Sequence, residues 1–583
     1  MTTFVPGQTP APGAPVVDPV EFHAGPPGGD VTAYLRAAAY LSRRFRDQTI
    51  EELVENRHRV AAPSPGADTA LVLAECLRAR RETALAGVAV ALVVLAGLLL
   101  SFSTALFVLG GALALRLGGS VSRAVVSYWS ARTGGDAGSP HAVLSRRVLS
   151  FFFFLLATGL VGSLLAAIVS ATDSSGSGNS LDPFGSSSSD GGGGYYPTSS
   201  GLDSGAAFSW LAFLVLAFLL LAIGVGMRVR VHQRLAVLAE PGGGRLPVGA
   251  PPSLTDVFTR IRENQADAET VYGAFRPFVG AGLPDPVWSL QIPLLPAVPG
   301  QDAEPLSVPQ LHARIAASVA HLAGGTEYPG DLLHRLTVRD RLVRSGLRAD
   351  RVENWHGQLS EQELSTGQRR LNASWAELFD RAAHERIRRY VEVRAELWER
   401  QVVASFFLRV QVQGQILRLE GLPFVLPPVS EEYRLIDRTL RPNVLDLAVH
   451  LWRGLVNIGR DLSGFLLEPG LVLRSVLRGW MNQVHYAEML RVGRPADHSP
   501  RVSVRELGAS RNFEHLLQEL DVERLFDAVA LRVLTALVAE LKLAGYDTAQ
   551  LETAAVKVNI AHAVRNAPQP LSRTVPQPHL GTR

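Results

Sequence analysis

The sequence predicts an α-helical membrane protein, with about four transmembrane helices and a cytoplasmic α+β C-terminal region containing a small antiparallel β-meander. Three observations predict it. Long charge-free apolar runs are confined to residues 83–227. Arginines flank those runs on one side of the expected bilayer only. After Arg228 the apolar residues fall into ordinary helical and alternating periods among normal charge.

The N-terminal residues come first. Residues 1–29 are rich in Pro and Gly, lack a basic stretch followed by an apolar core, and read as a disordered arm without a secretory signal. Residues 30–82 read as a cytoplasmic helical segment. Two helices are expected within Asp30–Asn56, with Asp30 capping the first and Asp47 or Thr49 the second, because their side-chain oxygens accept orphan backbone N–H groups. A third helix is expected to start at Asp68.

The block 83–115 carries no charge. As one helix it would be roughly 50 Å long, against a hydrocarbon core of about 30 Å. Ser101, Ser103 and Thr104 mark a turn, so the block is expected to be a hairpin of two short spans. Blocks 148–171 and 206–227 are each of single-span length. Between them, 172–205 is a Gly/Ser-rich loop with four aspartates and no Lys or Arg. Arg116, Arg123, Arg132, Arg146 and Arg147 lie in the connector 116–147, and Arg228, Arg230 and Arg234 follow the last block. The positive-inside rule puts the arginine-rich connector and both termini in the cytoplasm, and the Gly/Ser loop outside a bacterial cell membrane.

Within the blocks there is no ionisable side chain, and transporters and channels usually need one at membrane depth. Anchoring is therefore preferred over transport. Gly159, Gly162, Ser163, Ala166 and Ala167 give a small-residue face suited to self-association.

Residues 228–253 form a Gly/Pro-rich linker, 254–565 the cytoplasmic α+β region, and 566–583 a Pro-rich disordered tail. VWSLQIPLL (287–295) reads as a strand and PQLHARIAASVAHLAG (309–324) as a helix. Ser374 and Glu377 form a capping-box pattern. RYVEVRAELW, QVVASFFLRVQV and QILRLEGLPFVL, joined at Glu399–Arg400 and Gln413–Gly414, give the meander, with Val391, Val393 and Ala395 on one face. Residues 441–480 are helical and amphipathic, expected to pack on the meander, with the membrane surface as the alternative. In DVERLFDAVALRVLTALVAELKLAGYD, Asp521 is expected to cap a helix, Gly545 to end it, and an apolar stripe from Val522 to Leu541 to form core.

Composition limits the chemistry. The net charge is only +3 over 583 residues, the only lysines are Lys542 and Lys557, and no Lys/Arg cluster is interleaved with aromatics. Nucleic acid is therefore not an expected partner. The arginine bias, with abundant Ala, Gly and Pro, is that of a high-GC bacterial genome. The single cysteine, Cys76, excludes an intramolecular disulfide and a Cys-based zinc site, and is read as a buried inert thiol. Neither lysine follows a glycine, so there is no Walker A loop; G-x-S-x-G and H-E-x-x-H are also missing. His312 and His321 are too far apart on a helix to make a compact metal pair. Asn354–His356 reads as a surface turn, and Glu361/Glu363 and Glu431/Glu432 are carboxylate pairs without a partner. No catalytic residue, cofactor or metal follows.

The remaining candidate is VYGAFRPFVGAGLPDPVW, Val271–Trp288. Pro277 interrupts it where a phosphate loop needs N–H donors, so it is not a nucleotide loop. Gly280 and Gly282 supply turns, Pro284 and Pro286 stiffen the exit, and Trp288 begins a strand. Arg276, between Phe275 and Phe278, is placed to stack and hold an anionic group such as a lipid headgroup. Arg276, Phe275, Phe278, Gly280, Gly282 and Trp288 are thus the candidate ligand-binding residues.

GAFRPFVGAG, RVQVQGQILRLEGLPFVLPPVSEEYRLID and YLRAAAYLSRRFRDQTIEELV resemble an uncharacterised group of actinobacterial multi-pass membrane proteins. The resemblance covers much of the chain outside the Gly/Ser loop. It implies apolar spans between a short helical N-terminal part and a large cytoplasmic C-terminal part, and carries over no functional residue. The expected function is a membrane-anchored scaffold or regulatory protein whose partners are the lipid bilayer, a protein at the cytoplasmic face and a second copy of the chain. The alternative is a small-molecule or lipid-headgroup sensor, or an enzyme, using 271–288; a transporter or channel ranks third.

Overall fold

The structure is a computed structural model. It describes residues 29–100, 204–239 and 252–553, except 274, 325–332, 334, 347–360, 366–367, 372–378, 381–386, 439–443 and 495. The centre is one mixed sheet. Its strands are β1 (Glu269–Tyr272), β2 (Leu283–Pro284), β3 (Trp288–Pro293), β4 (Leu336–Ser345), β5 (Glu361–Ser365), β6 (Gln368–Leu371), β7 (Ile387–Leu397), β8 (Val402–Gln413) and β9 (Ile416–Leu426). They run in the order β2-β9-β8-β7-β4-β6-β5, with β1 also on β4 and β3 also on β9. Strands β1 and β6 lie parallel to β4, and the other pairs are antiparallel.

The alternation that marks β7, β8 and β9 sends Val391, Val393, Ala395, Ala404, Phe406 and Leu408 to one face. Two helices cover that face: α6 (Val308–Gly324) through Leu311, Ile315 and Val319, and α9 (Leu516–Leu543) through Val529, Val533 and Leu537. Each such side chain, fully buried, contributes roughly 1.5–3 kcal/mol. On the other face Phe278, Tyr390, Phe407 and Phe424 form an aromatic cluster, with the Phe278 and Phe407 rings 4.0 Å apart.

A second core joins the N-terminal helices to the chain after β9. Helices α1 (Gly29–Leu41), α2 (Arg43–Ile50), α3 (Thr69–Leu100), the end of α4 (Ser204–Ala239) and α5 (Pro252–Ala266) pack Leu35, Phe45, Leu73, Leu235 and Ile261 against Tyr433 and Ile436. Those last two lie on a 3-10 helix, Glu431–Arg438. Ser42, not Asp47 or Thr49, caps α2 by accepting the Phe45 N–H, while Asp68 caps α3 by accepting that of Leu71.

The third assembly is helical. Helix α7 (Val444–Arg491) has 48 residues, about 72 Å at 1.5 Å per residue. It lies antiparallel to α3: Arg80 donates to the Leu471 carbonyl, and further along α3 Val90 packs with Leu462. Leu216, Leu220 and Met227 of α4 complete this contact, and Arg228 of α4 pairs with Asp461 at 2.6 Å. Outside the contact, apolar side chains face outward: Leu92, Leu95 and Leu99 on α3, Val215 and Phe218 on α4, and Trp452, Leu473 and Trp480 on α7.

Several expectations are corrected. In place of a protein dominated by about four membrane helices with a small meander, the described residues hold a nine-stranded sheet, and one of their helices, over Val215–Ala239, is long and apolar enough to cross a membrane. The sheet was underestimated because β4, LTVRDRLVRS, buries charge instead of alternating apolar and polar residues. Asp340, Arg341 and Arg344 are buried there, satisfied by partners on neighbouring strands.

The expected boundary at 82/83 falls inside α3, and the expected linker from 228 is helical as far as Ala239. Residues 441–480 do not pack on the meander; α7 packs on α3 and α4, where its Leu462 and Phe465 join Ala86, Val90 and Leu220 in one apolar cluster. Helix α9 starts at Leu516, where Gln518 accepts the N–H groups of Glu514 and His515, while Asp521 instead accepts from the Trp398 indole. Gly545 follows the helix end with φ +81°. The expected turn at 101–104, connector 116–147, span 148–171, small-residue face 159–167, loop 172–203, capping box 374–377, turn 354–356 and terminal segments 1–28 and 566–583 lie outside the described residues.

Candidate functional site

The loop between β1 and β3 folds onto a four-residue helix, α8 (Val504–Leu507). Gly280 and Gly282 both have φ +98°, a conformation that costs little only for glycine. They are also closely packed. A Cβ on Gly280 would lie 2.1 Å from the Pro63 carbonyl oxygen, and one on Gly282 would lie 2.2 Å from that of Val425. This conformation points both N–H groups the same way. Both donate to Glu506 Oε1, at 2.8 Å from Gly280 and 3.1 Å from Gly282. Arg276 Nη2 reaches the other oxygen, Oε2, at 3.1 Å.

The loop is thus a three-donor cradle for a carboxylate, and the carboxylate is the chain's own. Arg276 is 56% exposed while Glu506 is 11% exposed, so the backbone donors sit on the sheltered side. The other candidate residues divide. Phe278 is buried in the aromatic cluster, and Trp288 begins β3 opposite Gly421 and packs near Phe406. Phe275 is fully exposed and touches none of them. The structure brings together Arg276, Gly280 and Gly282, and leaves Phe275 apart.

Beside Glu506, Arg505 is buried. Its Nη2 donates to the carbonyls of Gln401 at 2.6 Å and Pro427 at 2.9 Å. Ser503 links the same turn to the N-terminal part through the Pro63 carbonyl and Ser64. The segment 503–508 therefore ties together the loop, the ends of the meander and the segment before α3. No pattern in the sequence points to it, because four helical residues show no period and Glu506 lies 226 residues from Gly280.

Other titratable groups have structural partners. His312 on α6 is buried; its Nε2 accepts the Val410 N–H at 2.9 Å, leaving Nδ1 to face Asp380 at 3.4 Å. Burial pushes His312 below the usual histidine range, and the charge of Arg389 adds to this. Glu392 is buried between strands. Burial alone would raise its pKa, but Arg341, Arg394 and Arg339 hold it at about 2. Burial raises Cys76 far above the usual thiol range, which makes it unreactive. Glu431 and Glu432 sit exposed in the first turn of the 3-10 helix, and Glu361 and Glu363 lie on β5. Among the described residues no three His, Cys, Asp or Glu side chains gather as a metal site.

Residues 287–567 match the family model of the AbeC-like domain, which supports an uncharacterised family for this part of the chain. The match starts at Val287, just before β3, so it takes in Glu506 and Arg505 but not the glycines that cradle Glu506. Comparison with curated proteins and with solved structures returns no match.

Proposed function

We propose that the protein is a membrane-anchored scaffold or regulatory protein, with α4 meeting the bilayer and the sheet presenting a binding surface to a protein partner on the cytoplasmic side. The observation that carries this reading is the environment of Val215–Ala239. An 18-residue window of it has a mean hydropathy of 1.8, yet only 28% of that window is buried by the rest of the chain, whereas the core helix of a water-soluble protein would be mostly buried. The outward apolar residues of α3 and α7 continue the same surface. Arg228, Arg230 and Arg234 at one end of the apolar stretch support a cytoplasmic sheet domain by the positive-inside rule.

Fractionation of cells expressing the full chain tests the anchor: it is expected to stay with membranes after alkaline carbonate, and release into the supernatant would sink the idea. For orientation, a Cys76→Ser, Gln301→Cys chain should react with an impermeant maleimide only after permeabilisation; labelling of intact cells would reverse the orientation. In-cell crosslinking of the full chain should capture the same protein repeatedly at the sheet domain.

A second reading is a small-molecule or lipid-headgroup sensor using 271–288, favoured by the Gly280–Gly282 donors. A ligand there has to displace Glu506. A headgroup-dependent thermal shift that Arg276→Ala abolishes would support this reading.

A further inference from the structure

Among the described residues, Arg434 and Arg505 each leave two buried guanidinium nitrogens without a partner. Arg505 has no solvent exposure and, among the described residues, no carboxylate partner; its Nη2 is satisfied by two carbonyls, and its buried Nε and Nη1 have no partner there. Arg434, on the 3-10 helix, pairs through Nη1 with Glu514, while its buried Nε and Nη2 also have no partner. Those two nitrogens form one edge of the guanidinium, the edge that grips an oxyanion in bidentate fashion.

Backbone pairing holds the two segments side by side. Ser430 N–H donates to the Gly508 carbonyl at 3.0 Å, Ser510 N–H to that of Pro428 at 2.7 Å, and Val429 bridges Ala509. Elsewhere in the fold buried arginines meet acids, as Arg341 meets Glu392 at 2.7 Å and Arg389 meets Asp340 at 3.1 Å. An unpaired buried charge is costly, and four unpartnered guanidinium nitrogens exceed what one carboxylate satisfies through a single edge.

We propose that Arg434 and Arg505 form a binding site for a tetrahedral oxyanion of the phosphate class, either free phosphate or the phosphomonoester of a larger molecule. The inference goes beyond membrane anchoring and does not rest on it. Entry has to come from the Arg434 side, whose side chain is 20% exposed while its Nε and Nη2 are covered, because Arg505 is fully buried. Burial, and then the charge of Arg434, pull Arg505 down to about 9, so it still carries its proton at neutral pH. Glu514 holds Nη1 of Arg434, and its charge opposes an anion on the Nε–Nη2 edge, which keeps affinity moderate.

The test is thermal unfolding of the full chain in detergent against inorganic phosphate, glycerol 3-phosphate, acetate and chloride at matched ionic strength. Both phosphates should raise the midpoint saturably, and acetate and chloride should not. A tighter response to glycerol 3-phosphate assigns a phosphomonoester, and an equal or tighter one to inorganic phosphate assigns the free ion. Arg434→Gln should weaken the response at least about tenfold, the loss of one charge-assisted fork. No saturable rise with either phosphate, or an unchanged rise in Arg434→Gln, overturns the site. Should that variant fail to fold, Glu514→Gln decides instead: removing the competing carboxylate must tighten phosphate binding, and no change overturns the proposal.

Discussion

Around β4 and β7 the chain buries charge, with Arg341, Arg389, Asp340 and Glu392 all almost without exposure, whereas along α3, α4 and α7 it exposes leucine, phenylalanine and tryptophan. The two regions treat solvent in opposite ways. In the sheet, charged groups are tolerated because each meets an opposite charge at hydrogen-bond distance, and the low dielectric strengthens those pairs. In the helical unit, α3, α4 and α7 meet through an apolar seam and a few polar contacts such as Arg228 with Asp461, and large apolar side chains are left exposed beside it. Hydropathy alone would misplace both: it takes the charged strands for a surface and the outer helix faces for a core.

The largest effect is expected where a buried pair is broken. Glu392→Gln leaves Arg341 and Arg394 facing a neutral group and should cost about 3–5 kcal/mol, read as a lower denaturant midpoint of the full chain. A loss under about 1 kcal/mol would mean that these charges are solvated and the comparison fails. Next comes the opposite experiment, a charge placed on the exposed helix. Phe218→Arg should reduce the membrane-inserted yield, with a cost on the order of 3 kcal/mol at the bilayer centre. A gain in aqueous solubility with unchanged stability would instead make α4 a water-facing helix.

A smaller, pH-dependent effect belongs to His312. Its folded pKa is depressed, so the unfolded chain takes up a proton that the folded chain refuses. Its contribution is present above the unfolded value of about 6.5 and is lost as pH falls below it, by at most ~1.4 kcal/mol per pH unit. His312→Gln, whose amide oxygen can still accept the Val410 N–H, should flatten the acid limb of stability against pH; an identical limb would remove His312 from that account. The smallest effect is expected at Arg276→Ala. Its ion pair is half exposed and Glu506 keeps two backbone donors, so the loss should stay below about 1 kcal/mol. A larger loss would show that the cradle depends on the arginine and not on the glycines.

What could be read from the sequence depended on whether each residue's partners were local. The strands β7–β9 and the stripe of α9 were visible because alternation and helical spacing are properties of neighbours along the chain. The cap at Asp68 was visible for the same reason. The turn-forming role of Gly280 and Gly282 was legible, but the identity of the anion they face was not, since Glu506 comes from a distant segment with no pattern of its own. Strand β4 stayed hidden because its arginines and Asp340 resemble a solvated stretch until their partners on β1 and β7 are known.

The bond between His312 and Val410 has a consequence for how the protein behaves in company. Strand β8 pairs with β7 only as far as Leu408, yet it continues to Gln413 along β9. Among the described residues no strand pairs with its far side beyond Leu408, and a strand edge without a partner is a template on which a foreign strand can add. The imidazole takes the Val410 N–H on that edge, and α6 carries it there as a buried plug. Loss of His312 would thus be felt in the solubility of crowded or partly unfolded protein as well as in the stability of a single folded chain.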